Sequence, residues 1–381
     1  MDSQEKYGVL IIGGNRSHQE GYSRAFAADP RCRLIASSDE RDAPPDRVEL
    51  NRALAEELDI PYIPDLEEAL ARDDVHIVCS CVETERRGRV GARCAEAGKH
   101  VYLDKPLALN PDDAAKIVAA VKRAGVRTQM YSNIHDPAVQ AARQALNRGD
   151  IGELRAIHCD VVFAKGHPGS APVGNKRVEK PSVERYTFVD AKREMFDIGV
   201  YAVATVNWLT RKKVKTVFAN TGNYFFRGHF DRDVEDFGAM VLTLEGGVTA
   251  TVAGGRFGWL SHPQGGMRGL HLVGTRDTLT FDTSKSHLEV FADEPVFQPP
   301  PPHPLDQTGM WGSTQTKSTG PPKRQWVSVG DTQERGEIAS FVDCVENGVE
   351  SEMNAEMAAP SISVITAAFQ SAASGKVVQI G

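Results

Sequence analysis

Residues 7–14 read YGVLIIGG. An apolar run without alternation is how a strand buried on both faces reads, and a glycine pair at its end lets such a strand turn tightly into a helix. The same grammar repeats outward. A helical pattern at 21–28 leads to a strand at 33–37 that ends at Asp39. A helix at 46–58, a short strand near Pro61 and a helix carrying Leu66 and Leu70 follow. The run 75–82 is another buried strand, and the helix at 86–97 stops at Gly98, the residue type that most easily takes the left-handed turn after a helix. A strand at 100–103, a helix at 111–124 and a strand at 126–131 complete the series. Strands alternating with helices at this spacing predict a doubly wound α/β domain with a parallel sheet, over residues 1–127.

Beyond residue 127 the pattern changes. One helix at 137–147 precedes strands at 154–163, 214–221, 236–244, 248–257 and 269–274, with Glu245-Gly246-Gly247 as a hairpin turn. Few helices intervene, which predicts an α+β domain over 128–381 with a mostly antiparallel open sheet. The helices at 334–347 and 355–374 are expected to pack back on the first domain. The open sheet face is expected to pair with another subunit, giving a homodimer or homotetramer. The stretches 164–189 and 299–322 fit neither pattern, and loops of that length commonly serve as lids or binding loops.

The 381 residues are 41% hydrophobic and 25% charged, with a net charge of −7, which argues against nucleic acid as the partner. No basic-then-apolar leader and no 18-residue apolar stretch is visible, so a cytoplasmic location without membrane contact is expected. The six cysteines (32, 79, 81, 94, 159 and 344) are dispersed and fit free thiols. The 11 histidines show no metal-ligand spacing, so no metal is expected.

A strand, a glycine turn and a helix aim backbone N–H groups and a helix dipole at a pyrophosphate. The candidate cradle is Gly13, Gly14, Asn15 and Arg16. Against the pattern G-x-G-x-x-G only the first glycine is in place, since Asn15 and His18 stand at the second and third positions. Asp39, at the end of the second strand, is the candidate acceptor for the adenine ribose hydroxyls. Arg41 is the candidate partner of a 2′-phosphate, so both NAD and NADP are open, with NAD favoured by Asp39.

Two further motifs carry chemistry. VYLDKP (101–106) puts Asp104 and Lys105 at the C-terminal end of a sheet strand, where ligands sit in doubly wound folds. FDIGVY (196–201) opens a helix with Asp197 and Tyr201 one turn apart, on one face. A lysine, a carboxylate and a phenol meeting at a pocket can move the proton that accompanies a hydride. His135, at the start of the second domain, is a candidate substrate contact, and Lys192 and Arg193 are candidate anion anchors.

With these motifs the chain resembles the glucose–fructose oxidoreductase / inositol dehydrogenase (Gfo/Idh/MocA) family. The likeness runs through IIGG, AGKHVYLDKPLALN (97–110), RGDIGELRAI (148–157), MFDIGVYAV (195–203) and ENGVESEMNAE (346–356). It implies an NAD(P)-dependent enzyme that transfers hydride to or from a secondary alcohol or ketone of a sugar, cyclitol or sugar-acid-like substrate. It implies roles for Lys105, bonding the substrate hydroxyl and lowering the tyrosine pKa, for Tyr201 as general acid/base and for Asp197 as orienter. Asp104 stands where the family has Glu. Four departures fall on the expected cofactor crevice: Asn15, His18, the third-strand end Val82-Glu83-Thr84, and Arg87 in place of a His. Lys192 and Arg193 replace glycines and point to an acidic substrate or a remodelled pocket. Two alternatives stay open: a non-redox lyase, epimerase or hydrolase using a retained NAD, and a binding or regulatory homologue without cofactor.

Overall fold

The computed structural model describes residues 6–14, 17–164, 177–181, 191–257, 266–282, 287–291, 326–328 and 336–381. Asn15 and Arg16 of the glycine turn, all of 299–322 and most of 164–189 lie outside the described residues.

In the first part, strands and helices alternate as β1 (Tyr7–Ile12), α1 (Gln19–Ala28), β2 (Cys32–Ser38), α2 (Pro45–Glu57), β3 (Tyr62–Ile63), α3 (Leu66–Leu70), β4 (Ile77–Ser80), α4 (Thr84–Glu96), β5 (His100–Leu103), α5 (Pro111–Ala124) and β6 (Thr128–Met130). The six strands form one parallel sheet in the order β3-β2-β1-β4-β5-β6. Val9 to Ile12 and Ile77 to Cys79 are fully buried, as strands covered on both faces must be. The order reverses between β1 and β4, and in such sheets the ligand crevice opens beyond the strand ends at that point. Helix boundaries follow local chemistry: α5 has Pro111 in its first turn, the Asn110 side chain accepting from Asp113 N–H, and Gly125 in the left-handed conformation at its end.

The second part contains α6 (Pro137–Arg148), β7 (Leu154–Ala164), α7 (Glu194–Asp197), α8 (Gly199–Thr210), β8 (Val214–Gly222), α9 (Arg227–Asp231), β9 (Phe237–Leu244), β10 (Thr249–Phe257), β11 (Gly266–Met267), β12 (Gly269–Gly274), β13 (Thr278–Asp282), β14 (His287–Phe291), β15 (Trp326–Ser328), α10 (Glu337–Asn347), α11 (Ala355–Ser374) and β16 (Val378–Gln379). Its sheet runs β15-β14-β13-β12-β7-β10-β9-β8-β16, with β11 on β7. The pairing is antiparallel except at the centre, where β7 and β10 run parallel. Gly246 and Gly247 both take φ +76° in the β9–β10 turn, a backbone state that glycine adopts without steric cost.

Helix α8 is buried nearly from end to end, packed between this sheet and α11. Helix α10 returns to the parallel sheet, where Ile338, Phe341, Val342 and Val345 share a core with Val9, Ile11, Phe26 and Tyr102. Among the described residues no helix is long and apolar enough to cross a membrane.

The start of α8 is fixed by close approach to β10. A Cβ at Gly254 would stand 2.6 Å from Gly199 Cα, so the strand and the helix start can touch only with glycine there. Gly254→Ala is expected to lower stability by about 1–3 kcal/mol, the usual cost of overpacking a tight core. An unchanged urea midpoint would contradict this contact.

Candidate functional site

Lys105 follows β5 directly, so the parallel sheet carries its backbone to the crevice rim. Asp197 and Tyr201 arrive from the second part of the chain. They do not lie on one continuous helix: Ile198 breaks it (φ −111°), leaving Asp197 at the end of α7 and Tyr201 in the first turn of α8. The break allows α8 to start where Gly199 meets Gly254. The Asp197 carboxylate caps neither segment and turns to the lysine instead.

The three groups meet. Lys105 Nζ donates to the Asp197 carbonyl at 2.5 Å and to Asp197 Oδ1 at 3.0 Å, and it lies 4.8 Å from the Tyr201 ring centre. Arg256, from β10, bridges Asp197 Oδ2 at 2.5 Å and Glu194 Oε2 at 2.8 Å. His229 Nε2 lies 3.0 Å from Glu194 Oε1. Lys192 stands 3.7 Å from Asp197 Oδ1 with its side chain 44% exposed. Burial alone would raise the Asp197 carboxyl, but Lys105, Lys192 and Arg256 outweigh it and hold the group well below the usual carboxylate range. Burial pulls Lys105 below its ordinary value, opposed by Asp197 and Asp104.

The Lys105 ammonium faces the ring of Tyr201. Burial, followed by Tyr131, Asp104 and Asp197, pushes the Tyr201 phenol well above its ordinary value.

Tyr201 is also the link to open space. With His18, Tyr22 and Tyr131 it lines a cavity of about 730 Å³ beside the start of α1. The rings of Tyr131 and Tyr201 are 5.9 Å apart and those of Tyr22 and Tyr131 5.3 Å apart. His18, which stands at the third glycine position, turns into this site: its Nδ1 lies 2.9 Å from Asp104 Oδ1. Asp104 also accepts from the Tyr22 hydroxyl at 3.0 Å and from Arg87 at 2.6 Å. Burial would raise the Asp104 carboxyl, but Arg87 and His18 hold it low.

The remaining expectations divide. Gly13 leaves β1 with φ +106° and packs on Cys81, the turn that a phosphate cradle requires, with α1 starting at Gln19. Gly14 is pressed by α2, since a Cβ there would stand 2.4 Å from the Leu50 carbonyl oxygen. Asp39 sits at the end of β2 with no exposure, bonded to Arg86 through both oxygens. Arg41 projects into solvent and pairs with Asp65. Arg193 is buried against Glu179 at 2.9 Å and Glu235 at 2.6 Å, so it anchors the fold and does not face a ligand. Burial pulls His135 below its ordinary value with Glu352 as its charged neighbour. His135 is part of neither the Lys105 cluster nor the wall of the 730 Å³ cavity.

For a dinucleotide the fit is split. The Gly13–Gly14 turn and the start of α1 suit a pyrophosphate, whereas both Asp39 oxygens already accept from Arg86. The residues that sequence reasoning missed are Arg256, Arg86, Tyr22 and Tyr131. Arg256 had one signal, a lone charge in the otherwise uncharged stretch TVAGGRF (251–257).

A parallel six-stranded sheet of this order is the architecture of the dinucleotide-binding α/β folds. The comparisons agree. Residues 7–132 match the family model described as "Oxidoreductase family, NAD-binding Rossmann fold", and residues 139–280 match the GFO/IDH/MocA C-terminal domain. The chain belongs to the GFO/IDH/MocA family. It is 22% identical to the uncharacterized oxidoreductase YrbE of Bacillus subtilis, over 72% of this chain and 73% of that protein. A shorter stretch, 28% of this chain and 36% of the other, is 40% identical to 4-carboxy-2-hydroxymuconate-6-semialdehyde dehydrogenase of a Sphingobium species. Levoglucosan dehydrogenase, solved with NADH and levoglucosan, superposes with a TM-score of 0.74 at 18% identity, covering 98% of this chain and 99% of the other. Myo-inositol 2-dehydrogenase of Lactobacillus plantarum gives 0.68 at 18% identity, covering 99% and 100%.

Arg256→Met removes one of the three cations around Asp197 and one partner of Glu194. Breaking a buried pair leaves an uncompensated charge, so stability at pH 7 is expected to fall by about 3–5 kcal/mol. Asp197 has a depressed folded pKa, so its share of this stability is present above the unfolded value of about 3.9 and lost as pH falls through the folded one. Denaturant curves should show the variant's deficit shrinking in acid. A deficit independent of pH would contradict the assignment.

Proposed function

We propose that the chain is an NAD(P)-dependent oxidoreductase acting on a ketone or secondary alcohol of a sugar-, cyclitol- or sugar-acid-like substrate. The observation that carries this is the position of Tyr201, which packs on the Lys105–Asp197 pair with one side and lines the 730 Å³ cavity with the other. The bound nicotinamide would give or take the hydride. Tyr201, with its raised pKa, stays a phenol at neutral pH and is a proton donor to a carbonyl oxygen. Lys105, from the first domain, packs on the Tyr201 ring and is itself held by Asp197, from the second. Gly13, Gly14, Asn15 and Arg16 are the groups assigned to the pyrophosphate.

Charge argues for an acidic substrate. Lys105, Lys192 and Arg256 gather around Asp197 and Glu194, and the Lys192 ammonium is the exposed member. The relative matched over 28% of this chain, whose name gives a carboxylated substrate, points the same way. NAD is favoured over NADP, because the cavity beside Arg41 carries Glu40, Asp42, Asp65 and Glu67 against Arg41 and Arg93, a poor setting for a 2′-phosphate. The exposed face of the large sheet, where Phe218 and Val241 are cross-strand neighbours, is assigned to a second copy of the chain. One observation favours a second reading, a homologue that takes no dinucleotide: the closed pair Asp39–Arg86.

The test is oxidation of NADH and NADPH, followed at 340 nm, with a panel of keto-sugars and keto-sugar acids. Turnover is expected with at least one acidic member, and Tyr201→Phe should reduce kcat by about 10²–10⁴-fold without loss of fold. Lys192→Ala should raise KM for acidic substrates at least tenfold and leave neutral ones unchanged. Nucleotide binding without turnover of any panel member would sink the proposal.

A further inference from the structure

Arg86 lies in the first turn of α4, which starts just beyond the end of β4, on the crevice side of the switch point. Five N–H groups are all that a guanidinium offers, and here each has a carboxylate. Nη1 donates to Asp39 Oδ1 at 2.6 Å and Glu40 Oε2 at 3.0 Å. Nη2 donates to Asp39 Oδ2 at 3.1 Å and Glu83 Oε2 at 2.7 Å, and Nε to Glu83 Oε2 at 2.9 Å. The side chain is 9% exposed and that of Asp39 is fully buried.

Asp39 is equally full. Oδ1 accepts from Arg86 and from the Glu40 N–H at 2.8 Å, and Oδ2 from Arg86 and from Asn51 Nδ2 at 2.9 Å. A carboxylate has roughly four lone-pair sites, and all are used. A ribose that bonded Asp39 through its two hydroxyls would have to displace the bidentate guanidinium and exchange a charged partner for a neutral one. The surroundings hold Arg86 in place. Glu83 is itself paired with Arg47 of α2 at 2.6 Å, and Glu40 with Arg89 at 2.8 Å and Arg93 at 3.3 Å. Helix α2 meanwhile rests on Gly14.

We propose that Arg86 is an internal occupant of the adenosine-ribose subsite: this chain does not hold a dinucleotide through Asp39, and Arg86 sets its affinity for one. The inference rests on placing the dinucleotide crevice at β1, β2 and β4, as in the function proposed above. It makes Arg86 an affinity-determining residue, and it predicts that loss of the Asp39 carboxylate leaves binding nearly unchanged while loss of the Arg86 guanidinium strengthens it.

NADH titration by calorimetry on the full chain tests this, with wild type, Asp39→Asn and Arg86→Ala, and thermal melting as the control for fold. Asp39→Asn is expected to change the NADH Kd by less than threefold, and Arg86→Ala to tighten it at least tenfold or to create binding where wild type shows none. Should Arg86→Ala fail to fold, Arg86→Gln, which keeps amide donors near Asp39, carries the same test with the same sign. A tenfold weakening in Asp39→Asn would overturn the proposal, as would an arginine variant that folds and binds NADH no better than wild type. These outcomes are read from binding alone, whereas the proposed function fails on absent turnover in protein that binds nucleotide, so the two failures are distinguishable.

Discussion

The pair between Lys105 and Asp197 is the constraint on which the arrangement of the site depends. Lys105 comes from the end of a strand in the parallel sheet, and Asp197 from a four-residue helix laid against the other sheet. Both are buried, and a buried charge is tolerated only when it is paired and hydrogen-bonded. Asp197 has Lys192 and Arg256 in its own half, but the Lys105 ammonium bonds across to the Asp197 carbonyl and carboxylate and so fixes how the two parts meet. Tyr201, stacked on the ammonium, is thereby fixed at the wall of the cavity.

Around this pair the charges form two buried networks of different purpose. One runs Lys105–Asp197–Arg256–Glu194–His229 and holds the short helix α7 in place between β9 and β10. The other gathers Asp39, Glu40 and Glu83 around Arg86 and closes the outer crevice. Consecutive arginines of α4 serve different masters, since Arg87 turns inward to Asp104 and the Pro106 carbonyl. Beside the first network stands the partly exposed ammonium of Lys192; the second leaves its central guanidinium saturated.

The fold was largely legible because it is written in local pattern. Apolar runs such as 7–12 and 77–80, each followed by a turn and a helix, require a parallel sheet covered on both faces. The parallel pairing of β7 with β10 was not legible, because register between strands some ninety residues apart is a tertiary matter. The site was half legible. Lys105, Asp197 and Tyr201 stood out by motif, and the structure brings them together. Their partners did not stand out, because ion pairing across long separations leaves no period in the sequence. Arg86 stands at the start of the predicted helix 86–97 with nothing in the pattern to single it out, and only the fold shows that it bonds Asp39. The break at Ile198 was hidden for a related reason, since it is imposed by the glycine contact with β10.

A double-mutant cycle on Lys105→Met and Asp197→Asn, read as unfolding free energy in denaturant at pH 7, tests the central pairing most directly. If the pair joins the two halves as described, each single variant is costly and the double variant far less than additive, with a coupling of about 2–3 kcal/mol, at the upper end for residues in direct contact. Additive losses, with a coupling within about 0.5 kcal/mol of zero, would mean that Lys105 and Asp197 do not depend on one another and that the site is not built on their meeting.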